Sequence, residues 1–153
     1  MDKVIVTAFL VIAGVISAVF VYNSIYPAIV QSSEAMTSME RRVDERLKSQ
    51  VEIIHAVRAG SDALIWVKNI GSLRNVAVEA TDLFFGPEGN FARIPHAAGA
   101  PHWEYVVEND DAWNPTTTLR ITIPAYAFSG SGTRYFVKVV LSNGVSDEYY
   151  FSE

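Results

Sequence analysis

From Val4 to Gln31 the chain carries no charged residue, and this run limits the possible folds more than any other feature. Val4–Tyr22 contains twelve Val, Ile, Leu or Phe. At about −0.3 to −0.6 kcal/mol each on the membrane-insertion scale, they contribute about −4 to −7 kcal/mol. The polar Thr7 and Ser17 are small and can hydrogen-bond back to their own helix. A helix over Val4–Tyr26 would be about 35 Å long, against a hydrocarbon core of about 30 Å. Tyr22 and Tyr26 stand at its end as candidate membrane-interface anchors, because amphipathic rings favour the headgroup level, and Pro27 follows. Core helices of soluble proteins rarely run past about 14 apolar residues. A cleaved signal peptide would show an apolar region of about 7–15 residues and a small-x-small cleavage site. Here the run is longer and leads into Tyr26-Pro27 and a charged helical pattern. Residues 1–27 are therefore expected to form a retained, single-pass transmembrane helix.

The flanking charges do not orient that helix. Lys3 lies on one side, and Arg41, Arg42, Arg46 and Lys48 on the other. Taken literally, the positive-inside rule would put the large domain in the cytoplasm. Those basic residues begin ten positions beyond the span and alternate with Glu40, Asp44 and Glu45, which weakens the count.

Residues 28–50 continue the helical pattern. Met36, Met39, Val43 and Leu47 recur at three- and four-residue spacing and form one thin apolar stripe among mixed charges. Such a stripe on a stalk suits self-assembly with a coiled-coil or bundle neighbour. It would equally serve for packing on the chain's own β domain, and both readings stand. Gly14 and Ala18 form a small-xxx-small pair that permits close helix approach.

After Gln50 the period changes to two. Candidate strands are Val51–Arg58, Ala63–Ile70, Val76–Phe85, Phe91–Ile94, His102–Val107, Thr117–Ile123, Thr133–Ser142 and Val145–Phe151. Ser142-Asn143-Gly144-Val145 predicts a two-residue type I′ hairpin, since Asn and Gly both tolerate positive φ. Trp66 falls within an apolar run and is expected in the core. Seven or eight short strands over residues 51–153, at about ten-residue spacing, predict an immunoglobulin-like antiparallel β-sandwich. The fold class is thus mainly β with one long N-terminal helix, in three parts: 1–27, 28–50 and 51–153.

Composition removes several functions. Residues 1–50 hold five acids and five bases, so the whole formal charge of −5 belongs to residues 51–153. No basic field exists to displace counterions from phosphates, and nucleic acid is not an expected partner. With no cysteine, disulfides, thiolate metal sites and cysteine nucleophiles are excluded. No Gly-x-Ser-x-Gly, His-Glu-x-x-His or phosphate-binding glycine loop is present, so neither an enzyme nor a cofactor is expected. His55, His96, His102 and Glu104 match no metal-ligand spacing. Glu108-Asn109-Asp110-Asp111 could collect calcium through oxygen ligands, although a solvated loop is the simpler account. Trp103 and Trp113 bracket that loop and are candidate partner-contact residues, the alternative being that they pack beneath it. Tyr149-Tyr150-Phe151 must turn at least one ring to the outer face of its strand and forms a second candidate contact patch.

An apolar N-terminal helix, an amphipathic continuation and a β domain form the architecture of type IV pilin-like subunits. The whole chain resembles the FlaG family of archaellar proteins, which work with FlaF in the machinery of the archaeal rotary filament. The resemblance is carried by Ile25-Tyr26-Pro27-Ala28-Ile29, Glu52-Ile53-Ile54-His55-Ala56 and Trp66-Val67-Lys68-Asn69-Ile70-Gly71-Ser72. It continues in Phe84-Phe85-Gly86-Pro87-Glu88-Gly89-Asn90-Phe91 and in Leu141–Phe151. It implies a non-enzymatic stator component anchored in the cytoplasmic membrane of an archaeal cell, with its N-terminus inside and its β domain facing the surface layer. The implied partners are a FlaF-type protein, the surface-layer protein, the membrane, and further copies in a homo-oligomer or filament.

Two rival functions keep their place. A filament subunit, an archaellin or adhesive pilin, would begin with a short basic leader, whereas here only Met1-Asp2-Lys3 precede Val4. A membrane-tethered extracytoplasmic binding module, with calcium at Glu108–Asp111, is the other.

Overall fold

The structure is a computed structural model and describes residues 2–75 and 77–152. The chain divides into two compact units, Met1–Arg42 and Val43–Glu153. The first unit is helix. It belongs to α1 (Asp2–Lys48), which buries no residue and is long and apolar enough to cross a membrane. Its hydroxyls turn back on the helix, as Thr7 Oγ1 donates to the Lys3 carbonyl and Ser17 Oγ to the Ala13 carbonyl, each at 2.8 Å. The same i−4 bond recurs from Thr37 to Ser33. Polar groups so satisfied cost little in an apolar medium. Pro27 sits inside the helix, where it withholds the N–H that would bond the Asn23 carbonyl. One turn earlier the Tyr22 and Tyr26 rings stack, with centroids 5.5 Å apart.

In the second unit the end of α1 is met by the segment after the second strand. The Lys48 carbonyl accepts from the Ser72 N–H at 2.8 Å, satisfying one of the carbonyls that a helix C-terminus leaves open. Gly71 is required there, since a Cβ would run into the Lys48 carbonyl.

Among the described residues eight strands follow: β1 (Val51–Ala59), β2 (Asp62–Asn69), β3 (Asp82–Pro87), β4 (Ala92–Ile94), β5 (Glu104–Glu108), β6 (Thr118–Ile123), β7 (Arg134–Val140) and β8 (Ser146–Ser152). They pair antiparallel in two sheets, β1-β2-β6-β5 and β4-β3-β7-β8. That is the strand order of an immunoglobulin-like sandwich. A further mark of the class is Tyr135 at the start of β7. Its hydroxyl accepts from the Ser129 N–H at 2.6 Å and donates to the Ser129 carbonyl at 3.3 Å, pinning the crossing between sheets.

The core is the meeting of the two inner faces. Ile65, Val67, Leu119 and Ile121 come from one sheet, and Leu83, Phe85, Val137 and Val139 from the other, all buried. Phe85 stacks on Tyr135 at 5.8 Å and meets Tyr126 edge-on at 4.7 Å. Strict burial alternation along β2 and β6 shows each strand covering the core with every second side chain.

Two local expectations change. The strand expected over Val76–Phe85 begins at Val76, which lies outside the described residues. Within it, Val78–Ala80 form a 3-10 turn, and pairing starts only at Asp82. The turn takes the N–H groups of Ala80 and Thr81 for local bonds, so they are lost to a ladder. The hairpin at Asn143-Gly144 is not type I′. Among its residues only Gly144 has positive φ, and the Leu141 carbonyl accepts the Gly144 N–H while the Leu141 N–H bonds Val145. This is a three-residue loop closed by a glycine bulge. Asn143 Oδ1 takes the Val145 N–H at 3.1 Å, and Arg46 Nε donates to the Asn143 carbonyl at 2.8 Å.

Candidate interaction surfaces

Along α1, Met36, Met39, Val43 and Leu47 are all exposed. Tyr22 and Tyr26 are exposed as well, as is the rest of the apolar run.

Trp103 and Trp113 are not surface anchors, for both rings are fully buried. Trp103 is drawn in by a backbone bridge to the end of β4, donating its N–H to the Pro95 carbonyl and accepting from Ala97. His96 covers it at 4.5 Å. The Trp113 carbonyl accepts from the Asn75 N–H at 3.1 Å and from Asn69 Nδ2 at 3.3 Å, which holds the irregular segment over the core with its ring inward.

The aromatic triplet on β8 splits by strand geometry. Tyr149 and Phe151 turn inward and pack against the core, while Tyr150 faces out. Tyr150 lies 5.1 Å from the Phe136 ring and beneath the Arg134 guanidinium at 4.6 Å. Phe91 closes the far side of Phe136 at 4.5 Å and is 48% exposed. Phe136 lies opposite Gly86 in the ladder, and a Cβ on Gly86 would strike Phe91 and the Asn90 carbonyl. Around this aromatic row, Arg93 pairs with Asp82, Arg134 with Glu88 and Lys138 with Glu148. The outer face of β3-β7-β8 is thus aromatic in its middle and neutralised at its rim.

The other outer face has no counterpart among the sequence expectations. In register it carries three rows: Val57–Leu64–Thr122–Glu104, His55–Trp66–Arg120–Val106 and Glu52–Lys68–Thr118–Glu108. Trp66, expected in the core, therefore stands outside it. The inward positions of β2 are taken by Ala63, Ile65, Val67 and Asn69. Trp66 Nε1 donates to Glu108 Oε1 at 3.1 Å, and the His55 ring lies 5.5 Å from the indole. Arg120 is 3.8 Å from the same carboxylate, too far for a hydrogen bond. Ile54 beside these rows and Val106 at the end of the middle one are 46% and 53% exposed. The available signal was the run Ala63-Leu64-Ile65-Trp66-Val67, apolar on both faces of a strand whose sheet is covered on only one.

The acidic loop is organised by its own polar groups. Asp110 accepts from Asn114 Nδ2 at 2.7 Å and from the Asp111 N–H at 2.8 Å, and these bonds hold its carboxyl below the ordinary aspartate value. Glu108 turns away to Trp66. His102 reaches Glu104 at 3.3 Å, His96 lies on Trp103, and His55 sits in the outer row of the first sheet. Among the described residues no three His, Asp or Glu side chains converge as a metal site. What the second unit offers is surface: two outer faces with aromatic centres and the unpaired edges of its sheets.

No family model matches the chain. An uncharacterized protein of Archaeoglobus fulgidus is 29% identical over 161 residues, spanning 98% of this chain and 98% of its own. Among solved structures, the chain is similar to the archaellum periplasmic stator protein FlaG from Sulfolobus acidocaldarius. The TM-score is 0.61 at 22% identity, covering 67% of this chain and 99% of that one. It is also similar to the archaellum periplasmic stator complex of FlaF and FlaG from the same organism. There the TM-score is 0.60 at 21% identity, over 67% of this chain and 88% of that one. The likeness to these two structures is one of fold, and it joins the resemblance read from the residues.

Proposed function

We propose that this chain is a membrane-anchored, non-enzymatic stator component of an archaellum motor. The observation that carries the reading is the pairing of a helix long enough to cross a bilayer with a sandwich folded like an archaellum stator protein. A rotor delivers torque only against something static. A lone membrane helix drifts and spins in the bilayer, so the projecting unit must hold on to something fixed.

In this reading residues 1–27 span the cytoplasmic membrane with the N-terminus inside, and Tyr22 and Tyr26 sit at the outer headgroup level. Residues 28–50 form the stalk. The β unit then stands between membrane and surface layer and braces the filament together with a FlaF-type protein. Met36, Met39, Val43 and Leu47 provide the seam for further copies, and the outward Tyr150 is a lateral contact beside Tyr149 and Phe151.

The chain has no cysteine, which makes the topology directly testable. A single cysteine at Ser131 of the full-length protein should react with an impermeant thiol reagent on whole cells, and one at Asp2 should not. The reverse pattern would overturn the orientation. Full-length protein in detergent should co-purify with the FlaF-type protein of the same cell, and loss of the gene should stop swimming. A freely swimming deletion strain would remove the stator reading. The rival reading, a filament subunit, predicts a mature protein shortened at its N-terminus, which intact-mass measurement detects.

A further inference from the structure

Among the described residues the two sheets end in four terminal strands, and three of them are obstructed. β1 runs beside β8, where Asp147 Oδ2 takes the Ile53 N–H at 2.7 Å, and its ladder is irregular between Ile53 and His55. Both features stop a further strand from pairing there. β8 is the other side of that closure. β4 has only three residues, and the chain just beyond it is already paired with Trp103. β5 is different. Trp103, just before the strand, is taken by Pro95 and Ala97, but beyond that bridge, among the described residues, Glu104–Glu108 pair with β6 alone, which leaves the edge along β5 without a ladder.

The side chains of β5 have a definite pattern. Tyr105 and Val107 turn inward and pack against the core. Glu104, Val106 and Glu108 face outward, an acid, an exposed apolar group and an acid. Glu104 has His102 at 3.3 Å, and Glu108 accepts from Trp66 with Arg120 at 3.8 Å.

That pattern decides what the edge can accept. If a second copy paired antiparallel along the whole strand, Glu104 would lie opposite Glu108 at both ends. In parallel pairing Glu104 would face Glu104, and Glu108 would face Glu108. Directly opposed like charges destabilise a ladder, and a one-residue slip turns Tyr105 and Val107 to the wrong face. The edge is therefore set against full-length pairing with its own copy. A strand with Lys or Arg two positions either side of an apolar residue meets the opposite situation. Each carboxylate gains a counter-charge, and Val106 gains an apolar neighbour that extends the row His55–Trp66–Arg120. The negative charge of residues 51–153 steers such a basic segment toward the unit.

We infer that the β5 edge is a strand-addition site for an extended segment of a different protein carrying a basic–apolar–basic pattern at alternate positions. The site is independent of the stator reading, because it follows from the edge alone.

The test uses the full-length chain in detergent and two nine-residue peptides, Lys-Thr-Lys-Thr-Val-Thr-Lys-Thr-Lys and its counterpart with Glu at every Lys. Amide hydrogen exchange is followed across the β unit. The basic peptide should slow exchange in Glu104–Glu108 and nowhere else, with half-effect at a concentration about tenfold lower than for the acidic peptide. Val106→Lys should abolish the protection, and Glu104→Lys should weaken it about fivefold. Unchanged exchange elsewhere in the β unit shows that both variants fold. No protection at millimolar basic peptide, equal response to both peptides, or protection centred on another strand would overturn the inference. So would a dimer of the full chain that Val106→Lys dissolves.

Discussion

The apolar helix and the β unit are both rich in hydrophobic residues, yet they use them in opposite ways. Of the first 30 residues 22 belong to the hydrophobic set, and of residues 51–153 it is 49 of 103. The helix buries none of its side chains within the chain, whereas the sandwich closes over its own. The helix is the richer of the two, but the order of the residues matters more than their amount. An unbroken apolar run gives a helix no polar face, so it can satisfy itself only in an apolar medium. A run that alternates every second residue gives each strand one face for the core and one for water.

That contrast can be broken at either end. The largest effect is expected in the core: Phe85→Ala should cost about 3–5 kcal/mol of stability by denaturant unfolding of the β unit. The same experiment on Phe20→Ala should leave that unfolding unchanged, because Phe20 meets no core. Next comes the membrane run, where Ile16→Arg should cost about 2.5–3.5 kcal/mol of insertion, read as the fraction retained in membranes after alkaline extraction. The melting of the β unit should not move. Tyr135→Phe comes third. It strips the partner from the Ser129 N–H while keeping the ring, and a loss of about 1–3 kcal/mol is expected in the unfolding midpoint. Met39→Asp with Val43→Asp should change β-unit stability by less than about 0.5 kcal/mol but lower the oligomer mass of the full chain in detergent. An unchanged mass would remove self-assembly from the helix stripe.

The smallest effect is electrostatic. Asp110 has a folded pKa below its unfolded one, owing to the Asn114 amide and the Asp111 N–H. Its contribution is present above the ordinary aspartate pKa and fades as pH falls through the lowered value. Asp110→Asn should lower stability slightly at neutral pH and flatten that part of the acid limb, so that the curves of variant and parent converge as pH falls.

Much of this was readable in the residues. The helix, the strand-rich remainder and the sandwich class all follow from local period, and seven of the eight expected strands lie within two residues of those observed at each end. Other features were not readable, and for identifiable reasons. In β2 both Leu64/Trp66 and Ile65/Val67 are apolar, so alternation alone could not say which set faces the core. Trp103 and Trp113 lie in irregular segments whose ring direction depends on backbone bonds to Pro95 and Asn75, distant features that no spacing reveals. The Asn143-Gly144 pair marks where the turn falls but not its type, because the geometry is settled by a bond from Asn143's own side chain and by Arg46 from far upstream.

The sequence by itself determined where the apolar material begins and ends, which period each stretch obeys and where the charge lies, since all three are written along the chain. It also placed an acid on either side of Val106. Only the tertiary structure decided that β5 ends its sheet, that Trp66 stands outside while Trp103 and Trp113 stand inside, and that Asp147 blocks the opposite edge. These depend on which strands become neighbours, and strand pairing joins residues far apart in sequence through backbone groups that every residue shares.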